Sequence, residues 1–102
     1  MARRVAFLDV FAERPLAGNG LAVVDDADGV SEEVMLAFAR ETRLSETTFV
    51  QAPGTDGADY RNRIWDMREE LPFAGHPSLG TAVAVARWRG VEAASLVQQT
   101  GA

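Results

Sequence analysis

The segment Leu79–Ala86 constrains this chain more than any other. LGTAVAVA carries no charge, Pro77 precedes it, and Arg87-Trp88-Arg89-Gly90 follows it. Proline suits the first turn of a helix and glycine its end, so a helix is expected from about Ser78 to Arg89, with His76 at the cap position. A helix that is apolar on every face must be surrounded by protein. Its small side chains, Gly80 and the alanines among them, let strands approach closely. The expected architecture is therefore α+β, with a mixed or antiparallel sheet rolled around a buried central helix. A chain of 102 residues, 47% apolar and 25% charged, is long enough for one such domain, spanning 1–102.

The remaining segments supply strands and one more helix. VAFLDVF, from Val5 to Phe11, is a compact apolar run interrupted only by Asp9 and reads as a mostly buried strand. Arg14-Pro15 and Gly18-Asn19-Gly20 mark a loop, and Leu21–Val24 a second strand. Ser31 can cap a helix over Glu32–Glu41 whose first-turn acids suit the positive helix end. Val34 and Phe38, with Leu36 or Met35, are expected on its inner face. Glu46–Val50 is the next strand. Tyr60–Trp65 alternates, Tyr60, Asn62 and Ile64 against Arg61, Arg63 and Trp65, which fits a half-buried strand with one exposed face. Trp65 and Trp88 are assigned to core or interface. A short extended piece at Glu69–Phe73 precedes the apolar helix, and Val91–Gln98 is expected to be a last strand.

Composition removes several function classes. There is no cysteine, hence no disulfide, iron–sulfur cluster, thiolate metal site or cysteine nucleophile. All ten basic residues are arginine, so Schiff-base chemistry on lysine is absent. A net charge of −5 without a basic run argues against nucleic acid as a partner. The apolar run after Arg3-Arg4 stops at Asp9, too short for a signal-peptide core, and nothing approaches the ~20 apolar residues that span a bilayer. No membrane partner and a cytoplasmic location are the expectations. The acidic turn Asp25-Asp26-Ala27-Asp28-Gly29 misses the calcium-loop pattern, which would register on Val24 and end on Met35. No dinucleotide loop, P-loop or nucleophile elbow is present, and no metal or cofactor is expected.

Few residues remain that could carry chemistry. His76, the one histidine, lies between Gly75 and Pro77 at the mouth of the apolar helix. It is either a cap or surface residue, or an imidazole beside helix-terminal N–H groups, a corner suited to a carboxylate. In the second reading Gly75 lets a substrate approach the backbone closely. Glu46 opens its strand among Ser45, Thr47 and Thr48. It is either a solvated edge residue or a partly buried carboxyl suited to proton transfer. Asn19, between two glycines, is either a turn residue or an amide that orients a substrate.

Four stretches together resemble a known family. LDVF at Leu8–Phe11, GNGLAVV at Gly18–Val24, LSETTFV at Leu44–Val50 and ELPFAGHP at Glu70–Pro77 are similar, in order and approximate spacing, to the PhzF family of phenazine-biosynthesis-type isomerases. The likeness continues to Leu96-Val97-Gln98-Gln99-Thr100-Gly101; Gly20 stands where the family usually has proline. The resemblance implies half of a diaminopimelate epimerase-like fold, in agreement with the buried helix. It implies a cofactor-independent isomerase that moves a proton, and with it a double bond, on a small secondary-metabolite intermediate, or isomerises it cis–trans. Glu46 would be the catalytic acid/base with His76 beside it. Asn19, Ser45, Gly75, Pro77 and Ser78 would contact the substrate. Family members carry two such domains with the site in the cleft between them, and this chain matches most of the first. The second domain's acidic partner residue is absent, so a homodimer, or a heterodimer with another small PhzF-like subunit, is expected to complete the site. The other expectation is a non-catalytic subunit or a small-molecule binding protein.

Overall fold

Alternation along the strands sorts the apolar residues onto two sides of one sheet. In the computed structural model, which describes residues 3–10, 19–92 and 96–101, β1 (Val5–Val10) runs antiparallel to β2 (Asn19–Val24). Strand β2 lies parallel to β3 (Glu46–Gln51), and helix α1 (Glu32–Thr42) makes the crossover that a parallel pair requires. Strand β3 is antiparallel to β4 (Tyr60–Trp65). The far edge of β4 takes two short strands, β5 (Glu70–Leu71) antiparallel and β6 (Gln98–Gln99) parallel. The result is a mixed α+β fold, as expected.

Helix α2 (Gly75–Arg89) packs across β1, β2, β3 and β4. Leu21, Val23, Val50 and Tyr60 meet Ala84 and Val85 there, with Ala6, Leu8, Trp88 and Leu96 closing around them. Helix α1 covers the opposite face, where Met35 and Ala39 pack with Val24, Phe49 and Trp65. Each helix ends as its sequence demands. Ser31 accepts the Val34 N–H at 3.2 Å, and Gly90 takes the left-handed conformation (φ 69°) at the end of α2.

Several expectations change. Val34 is 56% exposed, because Met35 and Ala39, one turn apart, form the stripe that α1 turns inward, flanked by Leu36 and Phe38. Trp65 is buried in the core, as assigned, because α1 lies over its face of β4, so that face is not the exposed one. Arg63 on the same face is half-buried and holds Glu70 through two hydrogen bonds, 2.6 and 2.7 Å, while also pairing with Glu32. Those hydrogen bonds to Glu70, then to Glu32, outweigh burial and hold the guanidinium firmly charged. Strand β2 begins at Asn19, so Asn19-Gly20 belongs to the ladder and not to the loop. The residue capping α2 is Ala74, which places His76 inside the first turn. Of the strand expected over Val91–Gln98, Val91 and Glu92 are irregular and pairing starts only at Gln98; residues 93–95 lie outside the described set. So do Phe11 and the Arg14-Pro15 and Gly18 part of the expected loop.

The sheet covers one side of α2 only. Pro77, Gly80, Thr81, Ala84, Val85 and Ala86 are buried, whereas Leu79 and Val83 are 47% and 37% exposed. The apolar stripe that the sequence places all round the helix is thus left partly open by the described residues.

Tyr60, the one tyrosine, is buried between β4 and α2. Burial pushes its phenol up to about 12, against the lowering influence of the Gln98 hydrogen bond and of Arg89. A raised acid binds its proton more tightly in the folded state, so its contribution to stability is complete below pH ~10 and is lost as pH rises toward 12. Absorbance at 295 nm reports this group alone. We expect a titration midpoint near 12 in the folded protein and a melting temperature that falls from pH 10 upward. A midpoint near the free-tyrosine value would contradict this packing.

Candidate active site

Glu46 is the first residue of β3, and the two-residue period of a strand sends Glu46, Thr48 and Val50 toward α2. His76 occupies the first turn of α2, at the same end of the sheet. The two elements bring Glu46 Oε1 against His76 Nε2. Both side chains are largely sheltered, 15% and 20% exposed, and neither of these two atoms has any other hydrogen-bonding partner among the described residues. The contact is an ion pair when the imidazole is protonated and a shared-proton hydrogen bond when one proton lies between the two bases.

The backbone adds to this corner. Ala74 is extended (φ −151°, ψ 134°) and offers no side-chain cap, so no side chain satisfies the first N–H groups of α2. Pro77 has no N–H, and the Ser78 N–H reaches the Ala74 carbonyl at 3.2 Å. The positive end of the helix thus faces outward beside the imidazole. Among the described residues a Cβ built on Gly75 meets nothing within 4 Å, so open space lies beside the residue that precedes His76.

The other expected contacts divide. Gly75 and Pro77 flank His76 in the same turn, Gly75 exposed and Pro77 buried. The Ser78 hydroxyl donates to the Ala74 carbonyl at 2.8 Å, which commits its proton to the helix. Ser45 is exposed in the bend before β3. The Asn19 backbone pairs with Val10, and its side chain lies outside the described set.

Buried polar residues that sequence reasoning passed over stand close by. Thr81 is fully buried in α2 and contacts Thr48. Asn62 is buried on β4, and its amide donates to Gln98 Oε1 at 3.1 Å. Gln98 in turn donates to the Tyr60 hydroxyl at 2.5 Å and to the Ser78 carbonyl at 3.1 Å, which ties β6 to the start of α2. Thr81, the single polar side chain in the LGTAVAVA run, and Asn62, on the face shared by Tyr60 and Ile64, were the available signals. No three His, Asp or Glu side chains gather as a metal-binding group among the described residues.

A carboxylate thus meets an imidazole at a helix start that no side chain caps, on an α+β sheet. The family of phenazine biosynthesis-like proteins (PhzC-PhzF) matches residues 8–102, and the chain belongs to it. Over 82 residues it is 54% identical to trans-2,3-dihydro-3-hydroxyanthranilate isomerase of Pseudomonas aeruginosa, covering 80% of this chain and 29% of that enzyme. Two solved structures superpose well. One is described as a predicted epimerase of Pseudomonas aeruginosa (TM-score 0.77, 53% identity, 87% of this chain and 31% of the other). The second is a PhzF-family phenazine biosynthesis protein of Bacillus anthracis (TM-score 0.78, 37% identity, 94% and 32%). The chain therefore spans less than a third of the length of each of these relatives.

The empty space at Gly75 generates a prediction. Gly75→Ala meets no neighbour and needs no unusual backbone angle, so stability should stay within about 0.5 kcal/mol of the parent in denaturant unfolding. A larger loss would mean that this space is filled by protein rather than open to a ligand.

Proposed function

We propose that this chain supplies the acid–base half of a cofactor-independent isomerase that shifts a proton, and with it a double bond, within a small unsaturated carboxylic acid. The observation that carries the reading is the Glu46–His76 contact, two sheltered atoms with no other described partner. Glu46 takes a proton from carbon. The electrons of the broken C–H bond form a new C=C bond, the existing double bond moves along, and the carbon at its far end receives a proton from the pair. Atoms and charge balance without an oxidant or reductant. The imidazole holds the carboxylate in place and shares the proton, while the uncapped start of α2 faces the substrate's carboxylate. The isomerase relative's substrate, a dihydro-hydroxyanthranilate, has this chemistry: a carboxylate on an unsaturated ring.

Closure is the other half of the proposal. The four clefts described on this chain lie away from Glu46 and His76, and Leu79 and Val83 of α2 remain open. A second half, from a like chain or from another PhzF-like polypeptide, would wall the site. Asn19, Ser45, Gly75, Pro77 and Ser78 stand as the substrate contacts of this half, and the cytoplasm as its compartment. That Glu46 and His76 line none of these four clefts favours one other reading, a subunit that binds the same class of molecule without turning it over.

Two measurements test this. Incubated with trans-2,3-dihydro-3-hydroxyanthranilate in deuterated water, the protein should place deuterium on a ring carbon, and Glu46→Gln should lower the rate on the order of 10²-fold or more while its fold is unchanged. Normal turnover by Glu46→Gln removes Glu46 as the proton carrier. Binding of the compound without isotope incorporation supports the binding subunit. In solution the mass should be that of a dimer; a well-folded, active monomer at micromolar concentration would end the shared-cleft model.

A further inference from the structure

Thr48 and Thr81 are fully buried, and their hydroxyl oxygens lie 2.8 Å apart. Thr81 Oγ1 is also 2.7 Å from the Pro77 carbonyl. A carbonyl only accepts, so Thr81 donates to Pro77 and must accept from Thr48. Thr48 is two residues from Glu46 on the same face of β3, and Pro77 directly follows His76. A directional chain of two hydrogen bonds thus runs from the strand that carries the carboxylate to the turn that carries the imidazole.

Further along α2 its interface with β2 and β3 is apolar. Leu21, Val23 and Val50 meet Ala84 and Val85 through contacts without direction, which tolerate small slides of helix against strand. Packing does not call for hydroxyls here. Valine has the shape of threonine, and replacing both partners of a buried hydrogen bond by apolar groups of that shape is nearly neutral for stability.

We propose that Thr48 and Thr81 are positioning residues whose hydroxyl chain sets the register between β3 and α2 and so holds the Glu46 carboxylate against the His76 imidazole. The inference rests on the reading of that pair as the reacting groups. A misplacement well under the length of a bond at such a pair costs turnover while leaving the fold alone.

His76 is the single histidine, so the ¹⁵N resonance of its Nε2 can be followed in histidine-labelled protein without ambiguity. At one fixed pH we would compare the parent chain, Glu46→Gln, Thr48→Val/Thr81→Val and Thr48→Ser. The double valine variant leaves no stranded donor and should melt within a few degrees of the parent. Its Nε2 resonance should move in the same direction as in Glu46→Gln, whereas Thr48→Ser, which keeps the donor, should stay with the parent. With the dihydro-hydroxyanthranilate as probe, the double variant should lose on the order of 10-fold or more in kcat at unchanged KM, and Thr48→Ser should retain the rate. A double variant whose resonance coincides with the parent's overturns the proposal. So does a Glu46→Gln variant that leaves the resonance in place, because the contact would then not exist in solution. If no form turns the probe over, the isomerase reading fails, and the resonance comparison alone decides the positioning role.

Discussion

Burying the uncharged body of α2 against four strands is the constraint on which the rest of the structure depends. The helix has no polar face to offer solvent, so the sheet must lie against it, and the strands that do so carry Leu21, Val23, Val50 and Tyr60 on that side. Once α2 is laid across the sheet, its first turn comes to the end where β3 begins. The Glu46–His76 contact is a consequence of that geometry. The hydrophobic interface supplies the driving force; the few hydrogen bonds inside it supply direction.

Most of the buried polar side chains face α2, while Thr47 faces the other side and meets Thr42 of α1. Thr48, Thr81, Asn62 and Gln98 all lie between the sheet and α2, and the bonds they make reach Pro77 and Ser78 in its first turn. The Ala84–Val85 stretch, further along the helix, is packed by apolar side chains. A buried polar group costs stability unless it is bonded, so placing several in a small core exchanges some packing for orientation. Thr48 and Thr81 stand on the same two elements as the Glu46–His76 contact. The exposed Leu79 and Val83 belong to the same helix, so the element that builds the site also carries an apolar face left open by the described residues.

Sequence reading succeeded where a signal was local. The Ser31 cap, the left-handed Gly90, and the strands around Ala22, Phe49 and Asn62 are written in short runs. It failed where several local choices were equivalent. Helix α1 offers Val34, Met35, Leu36 and Phe38, and only the angle at which it meets β3 and β4 decides that Met35 goes inward and Val34 stays out. Arg63 looks like an outward strand residue, yet Glu70 on the neighbouring β5 and Glu32, distant in sequence, draw it into half-buried ion pairs. The cap of α2 was misplaced because proline tolerates any position in the first turn, where its missing N–H has no partner in any case.

What the sequence determined by itself is the inventory: one carboxylate among hydroxyls, one imidazole at the start of an apolar helix, no thiol and no lysine, and a pattern that demands a sheet beside that helix. Those are matters of composition and of spacing within a few residues. Tertiary structure decided that the carboxylate and imidazole touch, that Ser78 spends its proton on the backbone, and that Thr81 faces Thr48. The first and last of these depend on the relative placement of elements some thirty residues apart. Local propensity is blind to such placement, because it is set by how the two faces of a twisted sheet accept their helices.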